Sequence, residues 1–193
     1  MKFYDWRMDY IKAGKGFHVD IGAFSTPIQG GGAGTTITQN EPEGIVSIVA
    51  GYTLIPIRIH VVCQMPLIAA DNNESEILIA VDKAAALAGD GTATAETPVN
   101  MHTGSSNTSA ATCKSATTGA YTSPTLGMEL AHAVKLGNLY STNDSSMWAD
   151  LSLLYEPLTP PILTGPCAIY IYWGGTVATS GFAQVEWIEL KDA

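Results

Sequence analysis

Charge is scarce in this chain. Only 14% of its 193 residues are Asp, Glu, Lys or Arg, where a globular domain usually carries about a quarter. A surface so poor in charge is expected of chains that cover part of it with partners, because charge is depleted at the centres of stable interfaces. Basic residues are the rarest of all. Nine Lys and Arg face eighteen Asp and Glu, for a net charge of -9, and no basic stripe interleaved with aromatics is present. Direct binding of nucleic acid is therefore not expected. Cysteine is almost absent. Cys63, Cys113 and Cys167 are odd in number and far apart, which excludes a disulfide scaffold and a CxxC zinc knuckle. Free thiols fit a protein folded in a reducing cytoplasm. Long apolar runs are missing too. None approaches the ~18 residues of a membrane-spanning helix, and Met1-Lys2-Phe3-Tyr4-Asp5-Trp6 has no apolar signal core, so no membrane association is expected.

Catalytic patterns are equally lacking. There is no GxSxG elbow. His18, His60, His102 and His132 never stand at HxH or HxxxH spacing, as a metal site on paired strand positions would require. Glu186 and Glu189 are an odd number apart, so a strand points them to opposite faces and denies glycoside hydrolysis its facing carboxylates. Gly30-Gly31-Gly32-Ala33-Gly34 lacks GxxxxGK[ST] and reads as a flexible loop. The Asp71-Asn72-Asn73-Glu74 turn lacks the EF-hand order and its glycine. The chain is expected to be no enzyme, with no catalytic residue, no cofactor and no metal.

What the chain does have is alternation with period two. Phe17, Val19, Ile21 and Ala23 alternate with His18, Asp20 and Gly22, a half-buried strand. Ile45 to Ala50 makes a short strand, and Tyr52 to Gln64 the longest. In the latter, Ile55, Ile57, Ile59 and Val61 share one face, with Pro56, Arg58, His60 and Val62 on the other. Pro56 inside a strand predicts an edge position or a bulge. Ile77, Ile79 and Val81 continue the pattern, Asp82 to Ala88 could form a short helix stopped by Gly89, and Met128, Leu130, His132, Val134 and Leu136 share a further face. Met147 to Leu154 is another apolar stretch. Cys167 to Trp173 and Phe182 to Leu190 close the chain. About eight to ten strands at short spacing predict an all-β, antiparallel β-sandwich.

Two segments stand apart. Residues 1–15 form an N-terminal arm in which Phe3, Tyr4, Trp6 and Tyr10 are mixed with four of the nine basic residues. Phe3, Trp6 and Tyr10 would share the face of a short helix, so the arm either docks on a partner or packs on its own sandwich. Residues 89–125 are rich in Ser, Thr, Ala and Gly and read as a loop excursion from a single domain spanning 16–193. On the strand from Cys167, Ile169 and Ile171 share one face, and Tyr170 and Tyr172 the other. If the isoleucines face the core, the tyrosines, with Trp173 beside them, face a subunit interface, a sugar or a covering loop. Phe3, Tyr4, Trp6, Tyr10, Tyr170, Tyr172 and Trp173 are the candidate interface residues.

The closing stretch Leu163-Thr164-Gly165-Pro166-Cys167-Ala168-Ile169-Tyr170-Ile171-Tyr172-Trp173-Gly174-Gly175-Thr176, followed by Gly181-Phe182-Ala183-Gln184-Val185-Glu186-Trp187-Ile188-Glu189-Leu190, resembles the last strands of jelly-roll head decoration or minor capsid proteins of tailed phages. That resemblance implies a jelly-roll-like sandwich without catalytic residues. It implies a virion structural protein made in the host cytoplasm and mounted on the capsid exterior, a homo-oligomer, often a trimer, held by the major capsid protein. The alternative on the same architecture is a carbohydrate-binding, lectin-like module, perched on a virion for host attachment.

Overall fold

The structure is a computed structural model that describes residues 5–30, 37–66, 74–84, 93–115, 125–136, 148–175 and 179–192. Its elements in chain order are α1 (Trp6–Lys12), β1 (Gly16–Ile21), β2 (Ile28–Gln29), β3 (Gly44–Ile48), β4 (Tyr52–Pro66), β5 (Glu74–Asp82), β6 (Thr94–Glu96), β7 (Val99–Asn100), β8 (Thr112–Ser115), β9 (Leu126–Leu136), β10 (Trp148–Tyr155), β11 (Leu163–Thr164), β12 (Cys167–Gly175) and β13 (Ser180–Lys191). Eight of these strands are five residues or longer and five are shorter. Most of the long ones show alternation or an apolar run in the sequence; the short ones have too few residues to show a period.

Every strand pairing is antiparallel. One sheet runs β10-β4-β13-β1-β7, with β11 also on β4 and β2 also on β13, and the other runs β6-β8-β3-β12-β5-β9. The chain passes from one sheet to the other at β2 to β3, β3 to β4, β4 to β5, β6 to β7, β7 to β8, β9 to β10, β11 to β12 and β12 to β13. This repeated crossing makes a jelly-roll-like sandwich rather than two separate meanders. Between the sheets lies one main core. Val19, Ile21, Ile59, Val61, Val185 and Trp187 face Val46, Ile77, Ile79, Val81, Ile169 and Ile171. At about 25 cal/mol per Å² of apolar surface removed from water, this is the principal stabilising term.

The face assignment of β4 needs correction. Ile55, Ile57, Ile59 and Val61 do not share a face. Leu54, Ile59, Val61 and Cys63 enter the main core, while Ile55 and Ile57 lie on the outer face with Ile188. The cause is a bulge. Glu186 pairs with Arg58 and Trp187 with Pro56, so Ile57 has no opposite number on β13. Of the two options that Pro56 predicts, the bulge holds and the edge does not, for β4 sits between β10 and β13. One extra residue reverses the inward parity of everything beyond it. The same device acts on β9, where the pairing steps from Ile79–Ala131 to Ala80–Glu129 and skips Leu130. Met128, Leu130 and Ala131 therefore pack on the core, and Val134 is exposed. His132 bonds outward to Glu76 at 2.7 Å.

The excursion at 89–125 is likewise not a single projecting loop. β6 and β8 extend one sheet beyond β3, and β7 extends the other beyond β1. Ser and Thr dominate there because the edge strands are short and largely solvated. The helix expected over Asp82–Ala88 lies mostly outside the described residues, as do the turn at 71–73 and Gly31 to Gly34 of the glycine run.

Candidate functional site

The arm comes first in sequence. Asp5 caps α1, its carboxylate accepting from the Arg7 backbone N–H at 3.0 Å and from the Arg7 guanidinium at 2.9 Å. That bond holds the Asp5 carboxyl below its usual range. Arg7 also reaches Glu156 at 3.3 Å. Trp6 and Tyr10 meet edge to face with ring centroids 6.0 Å apart. Together with Ile11 they pack on Ile55, Ile57 and Ile188. The bulge at Ile57 thus creates an apolar patch on the outer face, and α1 covers it. A seven-residue helix is marginal alone; this patch is what holds it. Trp6 and Tyr10 belong to the chain's own packing, and Phe3 and Tyr4 lie outside the described residues.

Tyr170, Tyr172 and Trp173 do not line the surface. They are 3%, 0% and 1% exposed. β12 is interior to its sheet, between β3 and β5. Ile169, Ile171 and Trp173 face the main core. Tyr170 and Tyr172 stack at 6.3 Å on the opposite face, where Ile37, Leu78 and Leu126 pack on them. The Tyr172 hydroxyl donates to the Gln39 carbonyl at 2.9 Å, and the Trp173 indole N–H donates to the Ile28 carbonyl at 3.2 Å. Neighbouring segments of the same chain therefore cover the outward face of β12, and no tyrosine platform is left for a sugar. Burial raises the Tyr170 phenol to about 12 and pushes Tyr172 up further.

No poised nucleophile emerges from the cysteines. All three are free and buried. Burial, with Glu189 and Glu96 nearby, raises the Cys113 thiol to about 12. Burial, with Asp82, raises Cys167 to about 11. Such thiols stay protonated and inert at neutral pH. Among the described residues no group of three or more His, Cys, Asp or Glu gathers to hold a metal ion. His18 sits 3.1 Å from Asp20 across the strand pleat.

Three buried carboxylates, by contrast, are put to structural use. Glu43 accepts the Trp173 backbone N–H at 2.8 Å. Asp82 accepts the N–H groups of Ala84 at 2.8 Å and Thr125 at 2.9 Å. Glu189 accepts the Ala110 N–H at 2.8 Å and the Ser109 hydroxyl at 2.6 Å, and the Trp187 indole N–H approaches it at 3.5 Å. A buried charge persists only when hydrogen bonds replace its water. Each of these carboxylates ties a connecting segment to a strand end. As the odd spacing requires, Glu186 faces outward to Arg58 at 2.9 Å and Glu189 faces inward, 7% exposed.

Glu189 also forms the floor of a surface pocket of about 410 Å³. Gly14, Lys15 and Phe17 supply one wall, Ser106, Asn107 and Thr108 another, and Tyr52 and Lys191 close it. Its walls are braced. The Gly14 carbonyl accepts from the side-chain amides of Asn100 at 2.9 Å and Asn107 at 3.1 Å. The Lys15 carbonyl accepts the Glu189 N–H at 2.9 Å. Gly14 has φ +71°, and a Cβ there would run into the Ser105 side chain, a conformation and closeness that admit only glycine without strain. Sequence reasoning puts Glu189 on the face opposite Glu186 but does not find this pocket, because its walls come from four segments up to 177 positions apart, Gly14 to Lys191.

No family model and no curated protein matches this chain. Among solved structures it is similar to a chain in the structure of Cocksfoot mottle virus, at 10% identity over 91% of this chain and 93% of that one, with a TM-score of 0.24. A likeness that distant leaves fold and role to be read from the chain itself.

Proposed function

We propose that this protein is a non-enzymatic structural protein of a virion, a capsid decoration or minor capsid protein that assembles as a homo-oligomer, a trimer, on the capsid exterior. The observation that carries the assembly part is apolar surface left outside a core that is already complete. Leu154, Leu158 and Ile162 follow one another through the end of β10 and the segment before β11, with Leu158 99% and Ile162 71% exposed. β10 ends its sheet, and β9, which ends the other, lies against it and exposes Val134. In a chain of 14% charge, an apolar run on one flank of a sandwich suits contact with another copy better than contact with water. Support for a virion comes from the resemblance of β12 and β13 to the closing strands of phage decoration proteins.

The test is the mass of the full chain in solution by light scattering, for the parent and for a Leu158→Asp, Ile162→Asp variant. A trimer that falls to a monomer in the variant, at an unchanged melting temperature, is the expected outcome, together with loss of attachment to capsids stripped of their decoration. A parent that is monomeric at every concentration, or a variant still fully assembled and attached, would sink the proposal.

A further inference from the structure

We infer that the pocket over Glu189 is a binding site for an acidic saccharide, a function that goes beyond assembly and does not depend on it. A volume of about 410 Å³ lies in the range of small-ligand sites, roughly 300–1,000 Å³. Two of the chain's nine basic residues, Lys15 and Lys191, line this one pocket, although the net charge is -9. Both are exposed. Among the described residues neither ammonium group makes an ion pair; Lys15 approaches the Tyr10 ring, at 6.0 Å from its centroid. Glu189, the acid on the floor, is engaged by Ser109 and Ala110 from the chain's own backbone and side chains. Two lysines against one carboxylate leave the pocket with a positive balance to meet an anion arriving from outside.

The remaining lining narrows the class. Hydroxyl and amide groups of Ser106, Asn107 and Thr108 match a ligand dense in hydroxyls, and the partly buried Tyr52 offers aromatic surface for the apolar face of a sugar ring. A bare inorganic anion would use only the lysines. A neutral sugar would leave them unpaired. A sugar bearing a carboxylate or sulfate uses both. The site is also preformed, since Asn100 and Asn107 lock Gly14, and Glu189 locks the 109–110 segment. Binding therefore spends little on ordering its walls.

The experiment is calorimetric or ligand-observed titration of the full chain with glucuronic acid and a sulfated disaccharide, beside glucose and acetate. The acidic sugars are expected to bind at least about tenfold more tightly than glucose or acetate, and to weaken as salt screens the lysines. A Lys15→Ala, Lys191→Ala variant should lose about tenfold or more in affinity at an unchanged melting temperature. The inference is overturned if neither acidic sugar saturates the protein, if glucose or acetate binds as well, or if the double variant binds like its parent. Each readout holds whatever the oligomeric state, so failure here is separate from failure of the assembly proposal.

Discussion

Glu189→Ala is the most informative single change. It removes the acceptor for the Ala110 N–H at 2.8 Å and the Ser109 hydroxyl at 2.6 Å, and the oxygen nearest the Trp187 indole N–H. A hydrogen bond to a charged group contributes about 1.5–3 kcal/mol. Two such bonds would set a loss of roughly 3–6 kcal/mol, but the adjoining pocket can admit water to the orphaned donors and offset part of it. We expect a loss of about 3 kcal/mol, near a hundredfold in the folding equilibrium. Glu189→Gln keeps one acceptor oxygen and its shape, and should lose about 1–2 kcal/mol. The assay is urea unfolding followed by tryptophan fluorescence, which Trp187 reports from inside the core, with amide exchange at Ala110 as the local measure. If Glu189→Ala stays within about 0.5 kcal/mol of the parent, or Ala110 exchanges no faster, then buried carboxylates do not anchor the loops and the account of the pocket walls fails with them.

Two further expectations follow from burial. Cys113 and Cys167 have folded pKa values raised to about 12 and about 11 from 9.0, and Tyr170 to about 12 from 10.0. In each case the unfolded form ionises first, so stability is full below about pH 9 and is lost as pH climbs through 9 to 12. Alkaline unfolding in that window, with Cys113 and Cys167 resisting iodoacetamide at pH 8 until denaturant is added, is the expected result; alkylation of the native protein would contradict it. Trp6→Ala should cost about 1–2 kcal/mol, less than the 3–5 kcal/mol of a fully buried Trp because Trp6 is only partly buried. It should also raise dye binding by baring Ile55, Ile57 and Ile188 while the β signal persists. An unchanged dye response would mean that α1 does not cover that patch.

Local regularity made the long strands legible. Alternation at Phe17–Ile21, Ile77–Val81 and Cys167–Trp173 follows directly from the two-residue pleat, so one face can be read as apolar wherever a single side is buried. Pro56 narrowed its strand to an edge position or a bulge, because its ring cannot join a regular ladder. The odd separation of Glu186 and Glu189 decided their opposite faces. Composition gave the shortage of charge, and with it the expectation of partners.

Only tertiary structure could decide the rest. Pro56 leaves edge and bulge both open; that β4 is bulged, that Ile57 is the extra residue, and that Ile55 and Ile57 turn outward all depend on the partner residues on β13. The tyrosines of β12 alternate just as exposed ones would, and their burial depends on Ile37, Leu78 and Leu126. The pocket exists only because folding brings Gly14, Tyr52, Asn107 and Glu189 together. Alternation records which side of a strand avoids water. It carries no information about which distant segment shields the other side, because that choice is made by contacts between residues with no fixed spacing along the chain.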